Sequence, residues 1–163
     1  MSATVAPSPH SRRRAWLAVL ARAPRADLET ALTHAFEGAE LPAYEWLRAP
    51  EIGLAMVRGR IGGTGDPFNL GEATVTRATL RLKGISGSDG AAPVGVACQL
   101  GRDKRRAELA ALADALLQVP ERHAALNERL IEPLAARMAA QRETRRQDAA
   151  STRVEFFTMV RGD

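Results

Sequence analysis

Residues 58–77, RGRIGGTGDPFNLGEATVTR, combine several arginines with five glycines. Glycine, Asp-Pro and Asn favour turns in which backbone N–H groups converge on an anion, and guanidinium groups bind phosphates and carboxylates. The segment therefore predicts contact with a polyanion or with an acidic partner surface. The candidate contact residues are Arg58, Arg60, Gly62, Gly63, Thr64, Asn69, Glu72 and Arg77.

This segment does not match the common nucleotide-binding loops. A dinucleotide fingerprint places a third glycine three residues after the second, but Gly63 and Gly65 are followed by Phe68, and a strand pattern comes next instead of a helix. A P-loop requires a Gly-Lys-Ser/Thr end, which the segment lacks. With both motifs excluded, the segment is interpreted as a Gly-rich connection of about 11 residues between two strands. Loops of that length are often functional.

Two pairs of arginines alternate along the flanking strand patterns. Arg58 and Arg60 share one face of their strand, as do Arg77 and Arg81 of theirs. If the strands pair as a hairpin, the four side chains are expected to form one basic face. The alternative is a solvated outer face on which Glu51 supplies a local counter-charge.

Other chemically capable residues have simpler explanations. Cys98 lies in a strand pattern and is expected to be a small core residue. His34 and His123 lie on helix patterns, where structural or surface roles are expected. Glu51 and Glu72 flank the hairpin and form the one candidate acid–base pair, a weak one. A single Cys and three His exclude a disulfide framework, a zinc ribbon and a self-contained iron–sulfur cluster. No catalytic residue and no metal site are predicted.

The composition is that of one compact domain. The chain has 163 residues, 45% of them apolar, and a net charge of +4. We expect a flexible tail over 1–10 and a single domain over 11–163. The first 26 residues imitate an export leader, but an amphipathic helix with Ser11 as a possible N-cap fits them better, so export is not expected. The positive net charge is compatible with a nucleic-acid-binding domain. However, no aromatic residues lie between the basic residues Arg142, Arg145 and Arg146.

The periodicities predict an α+β domain, with a mainly antiparallel sheet of about four to five strands between N-terminal and C-terminal helices. Strand patterns cover 52–61, 73–82, 93–100 and 152–160, and a short alternation surrounds Tyr44 and Trp46. Helix patterns cover 11–23, 24–37, 103–119 and 121–148. Asp103 is expected to cap the third helix, Asp114 to lie off its core stripe, and Pro133 to divide the last region near Glu132.

The central string, together with YEWLRAPEIGLAMV before it and RVEFFTMVRGD at the end, closely resembles the PhnG family of the bacterial carbon–phosphorus lyase system. The similarity runs from Trp16 to Gly162 and includes GRD at Gly101–Asp103 and DALLQ at Asp114–Gln118. It implies a subunit of a cytoplasmic core complex with the H, I and J proteins, functionally dependent on the L protein. That complex displaces adenine from MgATP by a phosphonate, which gives a ribose 1-phosphonate 5-triphosphate.

The resemblance also implies which subunits of the complex carry the catalytic activities. The I subunit is the catalytic one, and the J subunit uses an iron–sulfur cluster and S-adenosylmethionine, so no cofactor is expected on this chain. We therefore expect an accessory subunit without membrane contact, whose residues 58–77 dock on the I subunit. Two alternatives stay open: contact of the Gly loop and arginines with the substrate triphosphate at a shared site, and a basic nucleic-acid-binding domain.

Overall fold

The computed structural model describes residues 9–37, 40–60, 64–87 and 90–151. In this part of the chain an antiparallel sheet is flanked by helices, so the predicted α+β class is confirmed. The elements in chain order are α1 (Pro9–Leu20), α2 (Arg25–Ala35), β1 (Tyr44–Gly59), β2 (Phe68–Leu82), β3 (Val94–Leu100), α3 (Lys104–Leu117), α4 (Pro120–Leu126), a π-helical turn (Asn127–Ile131) and α5 (Glu132–Ser151).

The sheet of the described residues has three strands in the order β1-β2-β3, not the four to five expected. The alternation near Tyr44 and the strand pattern from Ile52 are both parts of β1. Pro50 does not end this strand, because register shifts on either side of Arg48 absorb extra residues and an edge strand tolerates a missing N–H. The predicted strand at 152–160 lies outside the described residues.

The β1–β2 hairpin is longer than the rest of the sheet. Its strands extend to Gly59 and Phe68, so the connection is shorter than the 11 residues expected. The shorter strand β3 pairs with β2 only from Val75 to Arg81. On the turn side of Val75, β1 and β2 continue as a two-stranded ribbon that no third strand of the described chain joins. We call this ribbon, residues 54–59 and 68–74, the hairpin arm.

Helix α3 covers one face of the sheet and is buried along most of its length. It packs so closely on β3 at Gly95 that a Cβ there would collide with the carbonyl oxygen of Ala111. Its predicted core stripe of Leu109, Leu112 and Leu116 is buried, as expected. The rest of the core comes from the base of the sheet and from α1, α2 and the π-helical turn, chiefly Trp16, Leu20, Leu28, Leu32, Leu80, Leu82 and Leu130.

Helix ends largely follow the sequence signals. The Asp103 carboxylate accepts a hydrogen bond from the Arg106 N–H at 3.0 Å, so the predicted cap of α3 is confirmed. Helix α1 begins at Pro9, so Ser11 lies inside it and is not its cap. Pro133 lies in the first turn of α5, directly after the π-helical turn. The expected separation into two helices near Glu132 is not observed, because the backbone stays helical through this turn.

Two predicted environments are wrong. Asp114, expected off the core stripe, is fully buried and bound by Arg13 and Trp16. Cys98, expected in the core, is exposed, because its neighbours Ala97 and Gln99 take the buried face of β3 and alternation turns Cys98 outward. None of the described helices is long and apolar enough to cross a membrane.

Candidate functional site

A row of exposed apolar side chains follows β1 into the hairpin arm. Ile52, Leu54 and Met56 are 43%, 63% and 58% exposed. Ile52 lies opposite Thr76, which is 1% exposed on the face of the sheet that α3 covers. Because side chains at i, i+2 and i+4 share a face, the row continues the core face beyond the end of the helical layer. We call Ile52, Leu54 and Met56 the apolar row.

The outer end of the arm is also apolar and is shaped by glycine. Phe68 and Leu70 are 41% and 61% exposed. A bulge separates the pairs of Val57 and Arg58, and at this point Gly71 has a φ of +148°, which side chains rarely tolerate. The Leu70 side chain lies over Gly59, in the space that a Cβ would need. The glycines therefore allow the bend that turns Leu70 across the ribbon.

Arg77 and Arg81 lie on the opposite face of the hairpin, where each is paired with an acid. Arg77 Nε donates to Glu51 Oε1 at 2.5 Å, and Arg81 Nη1 to Glu45 at 3.3 Å. The hydrogen bond from Arg77, followed by that from Arg48, lowers the pKa of Glu51 below its usual value. These arginines are therefore balanced by local carboxylates.

Arg58 points away from Arg77. It is seven positions after Glu51 in β1, an odd number, so it lies on the other face of the ribbon from the Glu51–Arg77 pair. One of its N–H groups reaches the Pro67 carbonyl at 3.4 Å, and Arg60, just after the strand, is exposed. The four hairpin arginines therefore do not form the single basic face that alternation suggested.

Of the remaining candidate contact residues, the three that the structure describes are exposed. Asn69 lies opposite Arg58, and Glu72 lies opposite Met56 in the arm. Thr64 is exposed in the connection. Gly62 and Gly63 lie outside the described residues. That these side chains touch a partner stays a prediction.

The candidate acid–base pair is not assembled. Glu51 lies on the face of Arg77, whereas Glu72 lies opposite Met56 on the face of the apolar row. His123 packs against Trp16 with ring centroids 5.4 Å apart, and its Nδ1 lies 2.8 Å from the Leu117 carbonyl oxygen. His34 is exposed on α2. Among the described residues no group of three or more His, Cys, Asp or Glu side chains could hold a metal ion.

The sequence-based prediction overlooked the apolar row. The alternation of Ile52, Leu54 and Met56 with smaller residues was visible, but it predicts a buried face as readily as an exposed one. Only the length of β3 and the position of α3 show that no other described element covers this part of the face. The arm thus presents several exposed apolar side chains, and exposed apolar patches are typical of interaction sites.

The fold is an α+β domain whose sheet extends into a two-stranded ribbon with exposed apolar side chains. The chain belongs to the PhnG family, since residues 11–162 match the family model described as phosphonate metabolism protein PhnG. It is also 47% identical over 153 residues to the alpha-D-ribose 1-methylphosphonate 5-triphosphate synthase subunit PhnG of Rhizobium meliloti (strain 1021), an alignment that covers 94% of this chain and 91% of the relative.

Proposed function

We propose that this chain is an accessory, non-catalytic subunit of the carbon–phosphorus lyase core complex. It supports the MgATP-dependent formation of α-D-ribose 1-alkylphosphonate 5-triphosphate, with release of adenine, in the bacterial cytoplasm. Membership of the PhnG family supports this proposal, as does the name of the relative, a subunit of a ribose 1-methylphosphonate 5-triphosphate synthase. The complex would comprise the H, I and J subunits, with a functional need for the L protein.

The apolar row is the observation that carries this proposal. Each large aliphatic or Met side chain gains about 1.5–3 kcal/mol when it passes from water to a fully buried position. Leu54 and Met56 are more than half exposed, so most of this gain is unused in the isolated chain. A partner that covers the arm would recover it. An accessory subunit needs such a surface, since its contribution depends on assembly.

The shape of the arm favours a protein partner over a small ligand. The arm is a two-stranded ribbon, and its outer strand β1 is an edge of the sheet in the described chain. Long apolar edges that are left uncovered promote aggregation, and proteins normally cover them. We assign the I subunit as the partner, with an apolar surface that receives the apolar row and acidic groups near Arg58 and Arg60.

The chemistry would then lie on other subunits. MgATP is the substrate of the assembly, and the iron–sulfur cluster and S-adenosylmethionine belong to the J subunit. On the face of the hairpin that carries Arg77, the acidic side chains are used in ion pairs: Glu51 binds Arg77 and Arg48, and Glu45 binds Arg81. This use of the side chains supports a structural role for the hairpin.

The double variant Leu54→Ser with Met56→Ser tests the proposal. The full-length chain is co-expressed with the H, I and J subunits, and the fraction of this chain recovered with the I subunit is measured. We expect recovery to fall at least tenfold, since even one lost buried apolar side chain exceeds the 1.4 kcal/mol of a tenfold change. Formation of ribose 1-methylphosphonate 5-triphosphate from MgATP and methylphosphonate should fall in parallel.

The matched control is Ala55→Ser with Val57→Ser, which changes the opposite face of the same strand segment. This control should assemble like the wild type. An intact complex with full product formation in the Leu54/Met56 variant would refute the proposal. The charged end of the arm is tested separately by Arg58→Glu with Arg60→Glu, against Arg12→Glu with Arg14→Glu on α1.

The Arg58/Arg60 charge-reversal variant also distinguishes docking on the I subunit from the alternative, direct contact with the substrate triphosphate at a shared site. If the arm docks on the I subunit, ATP binding and assembly should fall together, since binding depends on the complex. If the hairpin arginines hold the triphosphate directly, ATP binding should fall while the complex stays intact. The hairpin does not favour the nucleic-acid-binding alternative, because Arg77 and Arg81 are each paired with an acid.

A further inference from the structure

A second surface feature lies beside the base of the hairpin arm, where four elements of the fold meet. It is a cleft of about 510 Å³ between the residues just after α1, the end of β3, the start of α3 and the middle of α5. Its chemically important lining residues are Arg22, Leu100, Arg106, Met138, Arg142 and Arg145. Guanidinium groups from three separate parts of the chain therefore meet around one hollow.

Backbone carbonyls orient three of these arginines. Arg106 donates to the carbonyls of Ala21 and Ala23 at 2.8 and 2.7 Å. Arg22 donates to the Ala18 carbonyl at 2.8 Å, and Arg142 Nε reaches the Met138 carbonyl at 3.4 Å. A guanidinium has five N–H donors, so each group keeps donors for a ligand. A carbonyl orients the side chain without neutralising its charge.

No described carboxylate balances the positive charge of the cleft. Within the ranges that the structure describes, no Asp or Glu lines the cleft and no ion pair includes Arg22, Arg106, Arg142 or Arg145. The contrast with the hairpin is clear, since Arg77 and Arg81 each have a carboxylate partner. Like charges that converge without counter-charges repel one another, and a bound anion would relieve that repulsion.

We propose that this cleft binds the oligophosphate group of a phosphorylated small molecule. Guanidinium groups match phosphate oxygens with paired N–H donors, and a phosphate chain offers enough oxygens for several arginines at once. The volume lies within the range of small-molecule sites, about 300–1,000 Å³. Leu100, which is 70% exposed, and Met138 supply an apolar wall against which an organic part of the ligand can lie.

The cleft and the hairpin arm share no residue of the described chain. The cleft borders the base of the arm, since Leu100 pairs with Val75, but its lining residues are mainly helical and none belongs to the arm. Its arginines are not those of the Gly-rich segment. A variant of one surface should therefore leave the other intact, and the two proposals can fail separately.

The proposal is tested by titrating the full-length chain with sodium tripolyphosphate. The chain is used in the assembly in which it purifies. The variant is Arg142→Gln with Arg145→Gln, both at exposed helix positions where Gln is well tolerated. We expect the variant to bind tripolyphosphate at least tenfold more weakly than the wild type by isothermal titration calorimetry. Wild-type binding should also weaken as the salt concentration rises from about 50 mM to about 200 mM.

The matched control is Arg14→Gln with Arg146→Gln, which removes the same charge from exposed positions outside the cleft lining. Its affinity should stay within twofold of the wild type. A parallel titration with ATP identifies the ligand: tighter binding than tripolyphosphate supports a nucleoside part on the Leu100 wall, and equal binding supports recognition of phosphate alone.

Two results would overturn the proposal. One is an absence of tripolyphosphate binding by the wild type at the lower salt concentration. The other is equal affinity in the wild type and the Arg142/Arg145 variant. Loss of a protein subunit from the Arg142/Arg145 variant with tripolyphosphate binding unchanged would also count against it, since the cleft would then be a protein contact.

Discussion

Asp114 and Arg13 join two elements that are 101 residues apart in the chain. Arg13 Nη2 on α1 donates to Asp114 Oδ2 on α3 at 2.7 Å, and Arg13 Nε donates to Oδ1 at 3.2 Å. The same carboxylate accepts the Trp16 indole N–H at 2.8 Å and the Val96 backbone N–H at 2.9 Å. A fully buried charge thus has four hydrogen bonds, which tie α1, α3 and β3 together.

Replacement of Asp114 by Ala should destabilise the fold strongly. The change leaves the Trp16 and Val96 N–H groups without their acceptor, at about 1–3 kcal/mol each, whereas Arg13 is partly exposed and keeps its hydrogen bond to the Val94 carbonyl. The expected total cost is about 2–5 kcal/mol. We expect a loss in this range by equilibrium urea unfolding of the purified chain. The milder Asp114→Asn variant should lose less, because its amide oxygen still accepts. The exposed Glu128→Ala control should change stability by less than about 0.5 kcal/mol; a similarly small effect of Asp114→Ala would contradict the assigned role.

Gly95→Ala should separate α3 from the sheet. The added Cβ meets the Ala111 carbonyl oxygen and comes within 2.8 Å of the Ala115 backbone N, and neither atom can rotate aside. Overpacking of this kind costs about 1–3 kcal/mol, and rigid backbone neighbours place it at the upper end. Thermal unfolding measures the shift. The matched control is Gly53→Ala in β1, where a Cβ meets nothing within 4 Å; this variant should be as stable as the wild type or more so.

Tyr44 should make stability depend on pH in the alkaline range. Its hydroxyl donates to Glu108 Oε1 at 2.6 Å, and burial followed by this hydrogen bond raises its pKa from 10.0 to about 12. Because the folded pKa is above the unfolded one, this stability is fully present below pH 10 and is lost as pH rises towards 12. Phenolate absorbance reports this residue alone, since the chain has a single Tyr.

The Tyr44 titration has two informative comparisons. Glu108→Gln removes the neighbouring negative charge but not the burial, so the native midpoint should fall part of the way towards 10. Tyr44→Phe should remove the part of the stability loss between pH 10 and about 12 that ionisation of Tyr44 causes. A native midpoint equal to that of the urea-unfolded chain would show that the Tyr44–Glu108 contact does not form.

Cys98 should react as an accessible thiol. It is exposed on the outward face of β3, opposite Arg77 in β2. One equivalent of thiol should react with Ellman's reagent without denaturant, on the time scale of a small-molecule thiol. Cys98→Ser should remove this reaction and change stability by less than about 0.5 kcal/mol, because the side chain leaves no cavity in the core. A thiol that reacts only in urea would place Cys98 in the interior after all.

Local signals in the sequence were sufficient for most elements and for the family. Alternation and 3.6-residue periodicity predicted the α+β class, and the cap at Asp103 and the first-turn position of Pro133 depend on neighbouring residues alone. The number of strands was overestimated because Pro50 was interpreted as the end of a strand. Whether a strand can contain a proline depends on its position at the edge of the sheet, which local sequence does not show. For the candidate site, the sequence located the hairpin but not which of its faces is free.

The sequence by itself determined which segments become helices and strands, since each such choice is made by residues within a few positions of one another. The tertiary structure alone decided the environment of single side chains: that Asp114 is buried, that no described element covers the apolar row, and that Arg22, Arg106, Arg142 and Arg145 line one cleft. These facts depend on contacts between residues far apart in the chain. Periodicity assigns a side chain to a face but does not show what, if anything, packs against that face.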